Sequence, residues 1–425
     1  MQGDPLSHGL WETTAPAAPS TTPLTTGVVA QVVVIGGGYT GLSTALHLAE
    51  RGADVTLLEA VEIGFGGAGR NVGLVNAGMW VMPDTLVDAL GPERGERLIA
   101  FLGDGPAHVW DIIARYGIDC DATRAGTLHV AADQAGLAEL NQRHDQWSRR
   151  GAPVHRLDRS ETAGRLGSSR YHGALLDMRA GTIQPLAYAR GLAQAAIGQG
   201  ARLFTGSPAT GLEPCRGGWR VSTPQGAVTA RKVVFATDAY TRNLMPDIRT
   251  QQIFLPYFNF ATAPLPDSVL GALLPGREGV WDTRKIMTSF RLDRRNRLVF
   301  GSVGALRHGG RTIHQHWARR AMQRIFPQIG PVAFESGWYG TIGMTRDSLP
   351  RFHQLADGVV SFCGYNGRGI APGTAFGRCL AGWLLGDDAP LPLQPTVPQS
   401  AACRTLRSAC YEAGAQAFHV IDARR

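Results

Sequence analysis

Hydrophobic and polar positions near the start of the chain form one complete β-α-β pattern. Residues 31–35 (QVVVI) are a continuous β-branched run, which is typical of a buried parallel strand. In residues 42–52 (LSTALHLAERG) the apolar side chains fall on one helical stripe, and Gly52 ends the helix where a left-handed residue is favoured. A second strand is predicted over residues 54–58, so this part of the chain is expected to fold as a β-α-β unit.

The rest of the chain alternates between helical and strand patterns. The predictions are, in chain order, helices within 97–165 (clearest over 97–116 and 133–150), a helix and strand over 183–204, a hairpin around 224–226, a buried strand at 233–241, an antiparallel sheet over 251–334 with a helix near 317–326, a Gly-rich passage over 338–373, and a helix over about 374–385. This order predicts an α/β fold, in which a Rossmann-like nucleotide domain carries an inserted antiparallel-sheet (α+β) substrate domain.

The predicted domain boundaries follow the changes of pattern. They are an extended N-terminal arm at 1–27 with Trp11 as its anchor, a discontinuous nucleotide domain at 28–96, 166–245 and 335–386, a substrate domain at 97–165 and 246–334, and a C-terminal tail at 387–425.

Composition narrows the class of protein. No apolar run reaches the roughly 18 residues that a membrane-spanning helix needs, and the N-terminus lacks the basic start and apolar core of a signal peptide. The six cysteines form no C-x-x-C pair, which favours free thiols in a cytoplasmic protein. The net charge of +8 comes from scattered arginines without interleaved aromatics, so no nucleic-acid partner is predicted. Peripheral contact with a membrane stays open.

The glycine triplet between the first strand and helix indicates a dinucleotide site. Gly36 permits the tight turn, Gly38 lets the backbone approach a pyrophosphate, and Gly41 lets the helix pack close to the strand. The helix N-terminus offers unpaired N–H groups to the phosphates. Glu59, at the end of the second strand, is expected to accept hydrogen bonds from the adenosine ribose, which disfavours NADP.

Two further Gly-rich passages favour FAD over NAD. One is the loop at 64–71 (GFGGAGRN), directly after the ribose acid. The other is the turn at 364–369 (GYNGRG), which precedes a predicted helix whose N-terminus can stabilise the negative charge of a reduced flavin.

With these passages the chain resembles the D-amino-acid oxidase superfamily of FAD-dependent oxidoreductases. The resemblance rests on VVVIGGGYTGLSTALHLAERG, GFGGAGRNVGLVNAG, VVFATDAYT, WYGTIGMTRDSLPRF and GYNGRGIAPGTAFGRCLA, which fall between residues 32 and 381. The chain is most similar to the branch of gamma-glutamylputrescine, sarcosine, glycine and L-pipecolate oxidases. The resemblance implies FAD contacts from Gly36, Gly38, Tyr39, Thr40, Gly41, Glu59, Ala60, Gly67, Ala68, Gly69, Arg70, Asn71, Val72, Thr237, Gly340, Gly364, Tyr365, Asn366, Gly367, Arg368, Gly369 and Ile370.

Two departures from sarcosine oxidases bear on the flavin. Those enzymes attach it through a cysteine in the passage that matches residues 338–347, where this chain has none, so non-covalent FAD is expected. They also carry a lysine near the second turn, where this chain has Arg368 and Ala371. The lysine-linked activation of oxygen therefore does not carry over, and O2 or a quinone can be the electron acceptor.

The resemblance implies hydride transfer from the carbon next to an amine nitrogen to flavin N5, giving an imine. An arginine is the natural ligand for a substrate carboxylate, because its planar fork matches two oxygens. Arg368 is the first candidate, ahead of Arg284 and Arg291 in the antiparallel sheet. Tyr257 and Tyr339 are expected in the pocket wall, together with Trp281 and Tyr365.

The substrate expected first is a cyclic secondary amino acid such as L-pipecolate. Gamma-glutamylputrescine or an N-methyl amino acid is the alternative, and a flavin-binding accessory subunit is a reading of another class. No metal site is expected, because His314-x-His316 has no accompanying cysteine or carboxylate cluster and is interpreted as a solvated helix start.

Overall fold

The computed structural model describes residues 7–388 and 391–422. Numbered along the chain, its strands are β1 (Gly27–Ile35), β2 (Val55–Leu58), β3 (Leu74–Val75), β4 (Thr127–Val130), β5 (Val154–Leu157), β6 (Ala174–Asp177), β7 (Gly181–Thr182), β8 (Arg202–Phe204), β9 (Gly211–Cys215), β10 (Gly218–Ser222), β11 (Ala227–Phe235), β12 (Ile253–Pro264), β13 (Gly279–Asp282), β14 (Thr288–Leu292), β15 (Arg297–Val303), β16 (Phe334–Met344), β17 (Arg351–Ala356), β18 (Val359–Cys363) and β19 (Pro395–Thr396).

The helices are α1 (Leu10–Thr14), α2 (Tyr39–Glu50), α3 (Pro83–Leu90), α4 (Pro92–Gly103), α5 (Gly105–Tyr116), α6 (Gln134–Ser148), α7 (Arg159–Leu166), α8 (Pro185–Gly198), α9 (Pro246–Thr250), α10 (Asp267–Leu270), α11 (Gly310–Ile325), α12 (Ile370–Leu384) and α13 (Arg404–Asp422). None of these helices is both long enough and apolar enough to cross a membrane.

The first sheet carries the predicted β-α-β unit. Its strand order within the described residues is β19-β17-β18-β11-β1-β2-β8, with the β9–β10 hairpin added at β11. β1 runs parallel to both β2 and β11, and its apolar core side chains are buried. α2 packs on this sheet with α8 and α12 beside it. The Rossmann-like α/β domain is confirmed.

The second sheet is mainly antiparallel, with the order β16-β12-β15-β14-β13-β4-β6-β5. The set of strands in this sheet differs in two ways from the domain boundaries expected from sequence. β6 and β16 lie in segments assigned to the nucleotide domain yet pair here, and β4 and β5 are strands inside a segment with a helical pattern. Four-residue strands such as β4 are too short to show their period against long neighbouring helices.

α12 begins four residues earlier than the predicted start at residue 374, because Gly369 is its N-cap. Pro372 and Gly373 hide this start in the sequence, although proline is tolerated in the first turn of a helix, where its missing N–H has no intrahelical acceptor. The N-terminus of α12 therefore lies directly behind the second glycine turn.

The N-terminal segment contains α1 and is fixed by Trp11, which is fully buried. The Trp11 indole N–H donates to the Asn71 carbonyl at 2.9 Å, and its ring meets Trp338 edge-on at 5.5 Å. The first six residues of the expected arm lie outside the described residues.

The segment predicted as a tail contains α13, a helix of 19 residues that packs on α11 and β12; residues 389–390 and 423–425 of that segment lie outside the described residues. Its packing corrects the interpretation of His314 as solvated. His314 is fully buried, with its Nδ1 2.8 Å from His419 Nδ1. Burial disfavours the charged imidazole and lowers the pKa of His314 to about 4. Nothing in the local pattern around residue 314 shows that α13 covers it.

Candidate active site

A cavity of about 590 Å³ lies between the two sheets, which is within the range of small-molecule sites. Its walls come from the carboxyl ends of β1, β2 and β11, from the loop at 64–71 and from the turn at 364–369. The inner faces of β12, β13, β14 and β16 close the other side. In open α/β sheets, ligands bind outside the carboxyl ends of the parallel strands, and this cavity has that position.

The first glycine turn is shaped by backbone contacts that leave no room for side chains. Gly36 has a φ of +114°, and a Cβ at Gly41 would lie 2.0 Å from the Gly36 carbonyl oxygen. A Cβ at Gly38, by contrast, would approach the protein only at Ala68, 3.9 Å away. Gly36 and Gly41 are therefore required by the fold itself, whereas Gly38 leaves free space on the cavity side at the N-terminus of α2.

Glu59 lies at the end of β2 and is nearly buried in the cavity wall. Its Oε2 accepts the Gly37 N–H at 2.7 Å, and its Oε1 accepts the Val61 N–H at 3.0 Å. Burial raises the pKa of this carboxyl, partly offset by these hydrogen bonds. Two backbone donors thus hold Glu59 beside the first glycine turn.

The loop at 64–71 is held against α2 by Tyr39. The Tyr39 hydroxyl donates to the Ala68 carbonyl at 2.6 Å and accepts from Asn71 Nδ2 at 3.1 Å. The Arg70 carbonyl accepts from the Trp338 indole N–H at 3.1 Å and from Asn259 Nδ2 at 3.2 Å. The loop is therefore fixed by α2 on one side and by the second sheet on the other.

The second glycine turn is tied to the end of β11 and to α2. Asp238 accepts the Gly364 N–H at 2.7 Å, and burial raises the pKa of Asp238 to about 6. The Tyr365 hydroxyl is hydrogen-bonded to the Thr40 hydroxyl. Gly369 and Ile370, at the start of α12, line the cavity, so the positive end of a second helix dipole faces it.

The far end of the cavity is built from side chains. The Arg368 guanidinium carbon lies 4.6 Å from the centre of the Trp281 ring and 5.0 Å from that of Trp80, and the two indoles meet edge-on. His129 stacks on Trp281 at 3.3 Å. The Tyr257 hydroxyl is 2.8 Å from Ser289 Oγ, which lies two strands away in the same sheet. Aromatic faces and one buried cation therefore meet at this end.

The backbone cradle at one end of the cavity fits a dinucleotide. The space left at Gly38, the N-terminus of α2 and the fixed carboxylate of Glu59 match a pyrophosphate followed by a ribose. The model for FAD dependent oxidoreductases of the DAO family matches residues 31–383 of the chain. The chain belongs to this family.

Relatives of this FAD-dependent oxidoreductase support the assignment. It is 33% identical to "Probable oxidoreductase OrdL" of Rhizobium meliloti (strain 1021), with 95% of each chain covered. It is 34% identical to "Gamma-glutamylputrescine oxidoreductase" of Escherichia coli (strain K12), covering 85% of this chain and 84% of that protein. Glycine oxidase from Geobacillus kaustophilus has the same fold, with a TM-score of 0.71, 21% identity, and 88% and 99% coverage.

The cavity of the oxidoreductase contains most of the residues expected to contact FAD. Those that line it are Gly36, Gly38, Tyr39, Thr40, Glu59, Ala60, Gly67, Ala68, Arg70, Asn71, Val72, Thr237, Gly340, Tyr365, Asn366, Gly367, Arg368, Gly369 and Ile370. Gly41, Gly69 and Gly364 lie behind the wall. At Gly69 a Cβ would lie 2.5 Å from the Gly64 carbonyl oxygen, and Gly364 has a φ of +80°, so these positions shape the loops.

Of the five substrate-site candidates, Arg368, Arg284 and Tyr257 line the cavity, whereas Arg291 and Tyr339 do not. Arg291 is buried further along β14, where it donates to the Ile183 carbonyl and lies 3.6 Å from Asp121. Its place among the substrate ligands is therefore corrected to a structural one.

Tyr339 faces the other side of its strand. It is the cross-strand neighbour of Phe258, which is buried in the core beneath α11, whereas Gly340 is the neighbour of Tyr257 and lines the cavity. Because side chains alternate along a strand, Tyr339 is directed away from the site. The sequence did not show whether residue 339 or residue 340 of this strand faces the cavity.

Trp80 and His129 line the cavity but were not expected there. His129 reaches it because β4 pairs in parallel with β13, with His129 opposite Trp281. Trp80 lies between β3 and α3, and Arg143 holds its carbonyl at 2.7 Å. No signal in the sequence connects these distant segments.

Proposed function

We propose that this enzyme oxidises an amine that carries a carboxylate, and that Arg368 binds the carboxylate. The observation that supports this is that the Arg368 side chain is buried in the cavity wall without an ion-pair partner among the described residues. It is only 8% exposed and lines the cavity, and among the described residues it forms no ion pair, Asp177 acting on it only at longer range. Burial lowers the pKa of Arg368 to about 9, so the guanidinium is still charged at neutral pH.

The contacts of Arg368 leave hydrogen-bonding capacity for a ligand. One terminal nitrogen donates to the Ala77 carbonyl at 2.9 Å, and Nε is buried without a partner among the described residues. A buried cation without a counter-ion is costly, and a substrate carboxylate in the cavity would offset that cost. Arg284 is less suited, because it is partly exposed and has Asp282 at 3.9 Å.

The role of the chain is to position the amine for the cofactor. Bound FAD supplies the acceptor for the two electrons of the C–H bond next to nitrogen. Trp80 and Trp281 exclude water from the neighbourhood of Arg368 and offer apolar surface to the carbon skeleton. The Tyr257 phenol lies in the cavity wall formed by the second sheet. Burial raises the pKa of Tyr257, so the phenol stays a neutral hydrogen-bonding group.

A cyclic secondary amino acid such as L-pipecolate is the substrate we propose first, because its ring methylenes match the aromatic walls next to Arg368. Gamma-glutamylputrescine is the second candidate. It is favoured by the relative of that name and by the charged side chains Glu139, Arg284 and Lys285 in the cavity wall, which could meet a longer polar substrate.

An anaerobic panel of L-pipecolate, L-proline, sarcosine and gamma-glutamylputrescine tests the proposal. The expected result is bleaching of the flavin absorbance by at least one of these carboxylate-bearing amines, and no bleaching by the same amine after esterification of its carboxylate. A protein that holds FAD but is bleached by no amine would favour the accessory-subunit reading instead.

The role of Arg368 is tested by kinetics of Arg368→Lys with Arg284→Lys as the matched control. Loss of the bidentate geometry should lower kcat/KM by about 30-fold or more in protein fully loaded with FAD, so that any effect of Arg368 on FAD binding is measured separately as the FAD Kd. With L-pipecolate as substrate, the control should change kcat/KM by less than about threefold, in line with a partly exposed charge. An unchanged kcat/KM in Arg368→Lys would rule out the carboxylate clamp.

We further propose that FAD is bound without a covalent link. No cysteine lines the cavity among the described residues, and Cys363, the nearest in sequence to the second turn, is buried behind it. Acid denaturation should release FAD into the supernatant, and a yellow protein pellet would contradict this. Oxygen consumption with the substrate found above decides between O2 and a quinone as acceptor.

A further inference from the structure

The solvent-facing side of α13 is apolar along its whole length. Five of the ten large exposed hydrophobic side chains within the described residues lie on this one helix: Leu406, Tyr411, Phe418, Val420 and Ile421. Between them the outward positions are small and uncharged, at Ala409, Cys410, Ala413, Gly414 and Ala417. A concentration of apolar surface on one exposed helix indicates an interaction surface.

Gly414 shows that the centre of this face is adapted to close approach. Glycine in a helix interior is less favourable than alanine by about 0.5–1 kcal/mol, because its backbone loses more conformational freedom. A Cβ at Gly414 would meet nothing within 4 Å among residues 7–388 and 391–422, so the packing of these residues does not require glycine there. A neighbouring backbone crossing over Gly414 would require it.

The ends and the centre of this face match in an antiparallel pair. Leu406 and Ile421 stand equally far from the Ala413–Gly414 centre, and so do Cys410 and Ala417. In a two-fold contact each residue i meets residue j and j meets i, so a face of this kind is complementary to its own antiparallel copy. Large residues then pack at both ends, and the small ones permit a close crossing.

Charge agrees with the antiparallel arrangement. Arg404 and Arg407 lie in the first turn of α13, next to the positive end of their own helix dipole, and Asp422 lies at its end. In an antiparallel pair, Arg407 of one copy comes beside the negative carbonyl end of the other helix. A membrane is a poorer occupant, because the centre of the face, between its large residues, consists of alanines and a glycine that would bury little apolar area there.

We propose that α13 forms the centre of an antiparallel, two-fold interface with a second copy of this chain. Cysteine pairing in the full-length holoenzyme tests it, in a Cys215→Ser, Cys403→Ser background that removes two other exposed thiols. Ala417→Cys should pair with Cys410 of the second copy under oxidised glutathione. It cannot pair within its own chain, because seven helical residues span roughly 10 Å and a disulfide tolerates a Cα separation of about 7 Å at most.

The expected result is a covalent dimer on a non-reducing gel for Ala417→Cys and a monomer when Cys410→Ser is added. In sedimentation, wild-type protein should be a dimer. Ala413→Glu should shift it to monomer at unchanged melting temperature and FAD content, whereas Thr405→Glu, exposed beside the apolar face, should not. The proposal is overturned if wild-type protein sediments as a monomer and Ala417→Cys gives no cross-linked dimer. If that monomer also sediments with anionic phospholipid vesicles, the apolar face of α13 binds a membrane instead. These measurements do not depend on amine oxidation, so their outcome is independent of the proposed function.

Discussion

The two ends of the cavity are built by different means. The end near α2 consists of backbone: the turn at Gly36–Gly41, the N-terminus of α2, and a carboxylate held by two peptide N–H groups. The other end consists of side chains that four separate segments contribute, at Trp80, His129, Trp281 and Arg368. The cofactor end thus depends on the main chain, whereas the proposed substrate end depends on side chains, which can change without a change of fold.

The largest effect that this contrast predicts is at Gly41. Gly41→Ala places a Cβ where the Gly36 carbonyl oxygen already lies, 2.0 Å away, so β1 and α2 must separate. We expect the free energy of unfolding to fall by about 3 kcal/mol or more, together with loss of bound FAD. Urea denaturation of the purified variant measures this, and a stability within error of wild type would contradict the required close packing of Gly41.

Gly38→Ala is the matched substitution in the same turn and separates binding from folding. A Cβ at Gly38 meets only Ala68, at 3.9 Å, so the fold should be preserved. It occupies the space expected for the pyrophosphate, and we expect FAD affinity to fall roughly 10- to 100-fold, the effect of a steric clash of about 1–3 kcal/mol. Titration of apoprotein with FAD gives the Kd, and the urea midpoint of the apoprotein should stay that of wild type.

These two glycines also show what could be predicted from sequence. The triplet, its strand and helix, and Glu59 are local in the chain, so spacing alone predicted the dinucleotide end, and the Rossmann-like domain was correct. Arg368 and Tyr257 line the cavity as expected, because one lies in the second glycine turn and the other in a strand of the second sheet, and their role toward a substrate stays a prediction. The placement of Tyr339 and Arg291 in the cavity was wrong. Which face a strand residue presents, and which segment packs over it, depend on neighbours that are distant in sequence.

A smaller effect is expected when Glu59 loses its charge. Glu59→Gln keeps the shape of the side chain but replaces one acceptor oxygen by a donor, so one of the contacts to Gly37 and Val61 and part of the ribose binding are lost. The expected loss of FAD affinity is about tenfold, in line with about 1.5 kcal/mol for a hydrogen bond to a charged group. If Glu59→Gln left the FAD Kd unchanged, the prediction that Glu59 binds the ribose would be wrong.

The smallest effect belongs to the side-chain end and should leave FAD binding untouched. Tyr257→Phe removes the hydroxyl that lies 2.8 Å from Ser289 Oγ while keeping the ring in the cavity wall. We expect kcat/KM for the oxidised amine to fall about three- to tenfold, the effect of one neutral hydrogen bond, at an unchanged FAD Kd. Tyr339→Phe is the control, because this tyrosine lies on the neighbouring strand but faces away from the cavity, and it should alter neither quantity. A changed FAD Kd in Tyr257→Phe would show that the two ends of the cavity are not separable, since a side chain assigned to the substrate would then also hold the cofactor.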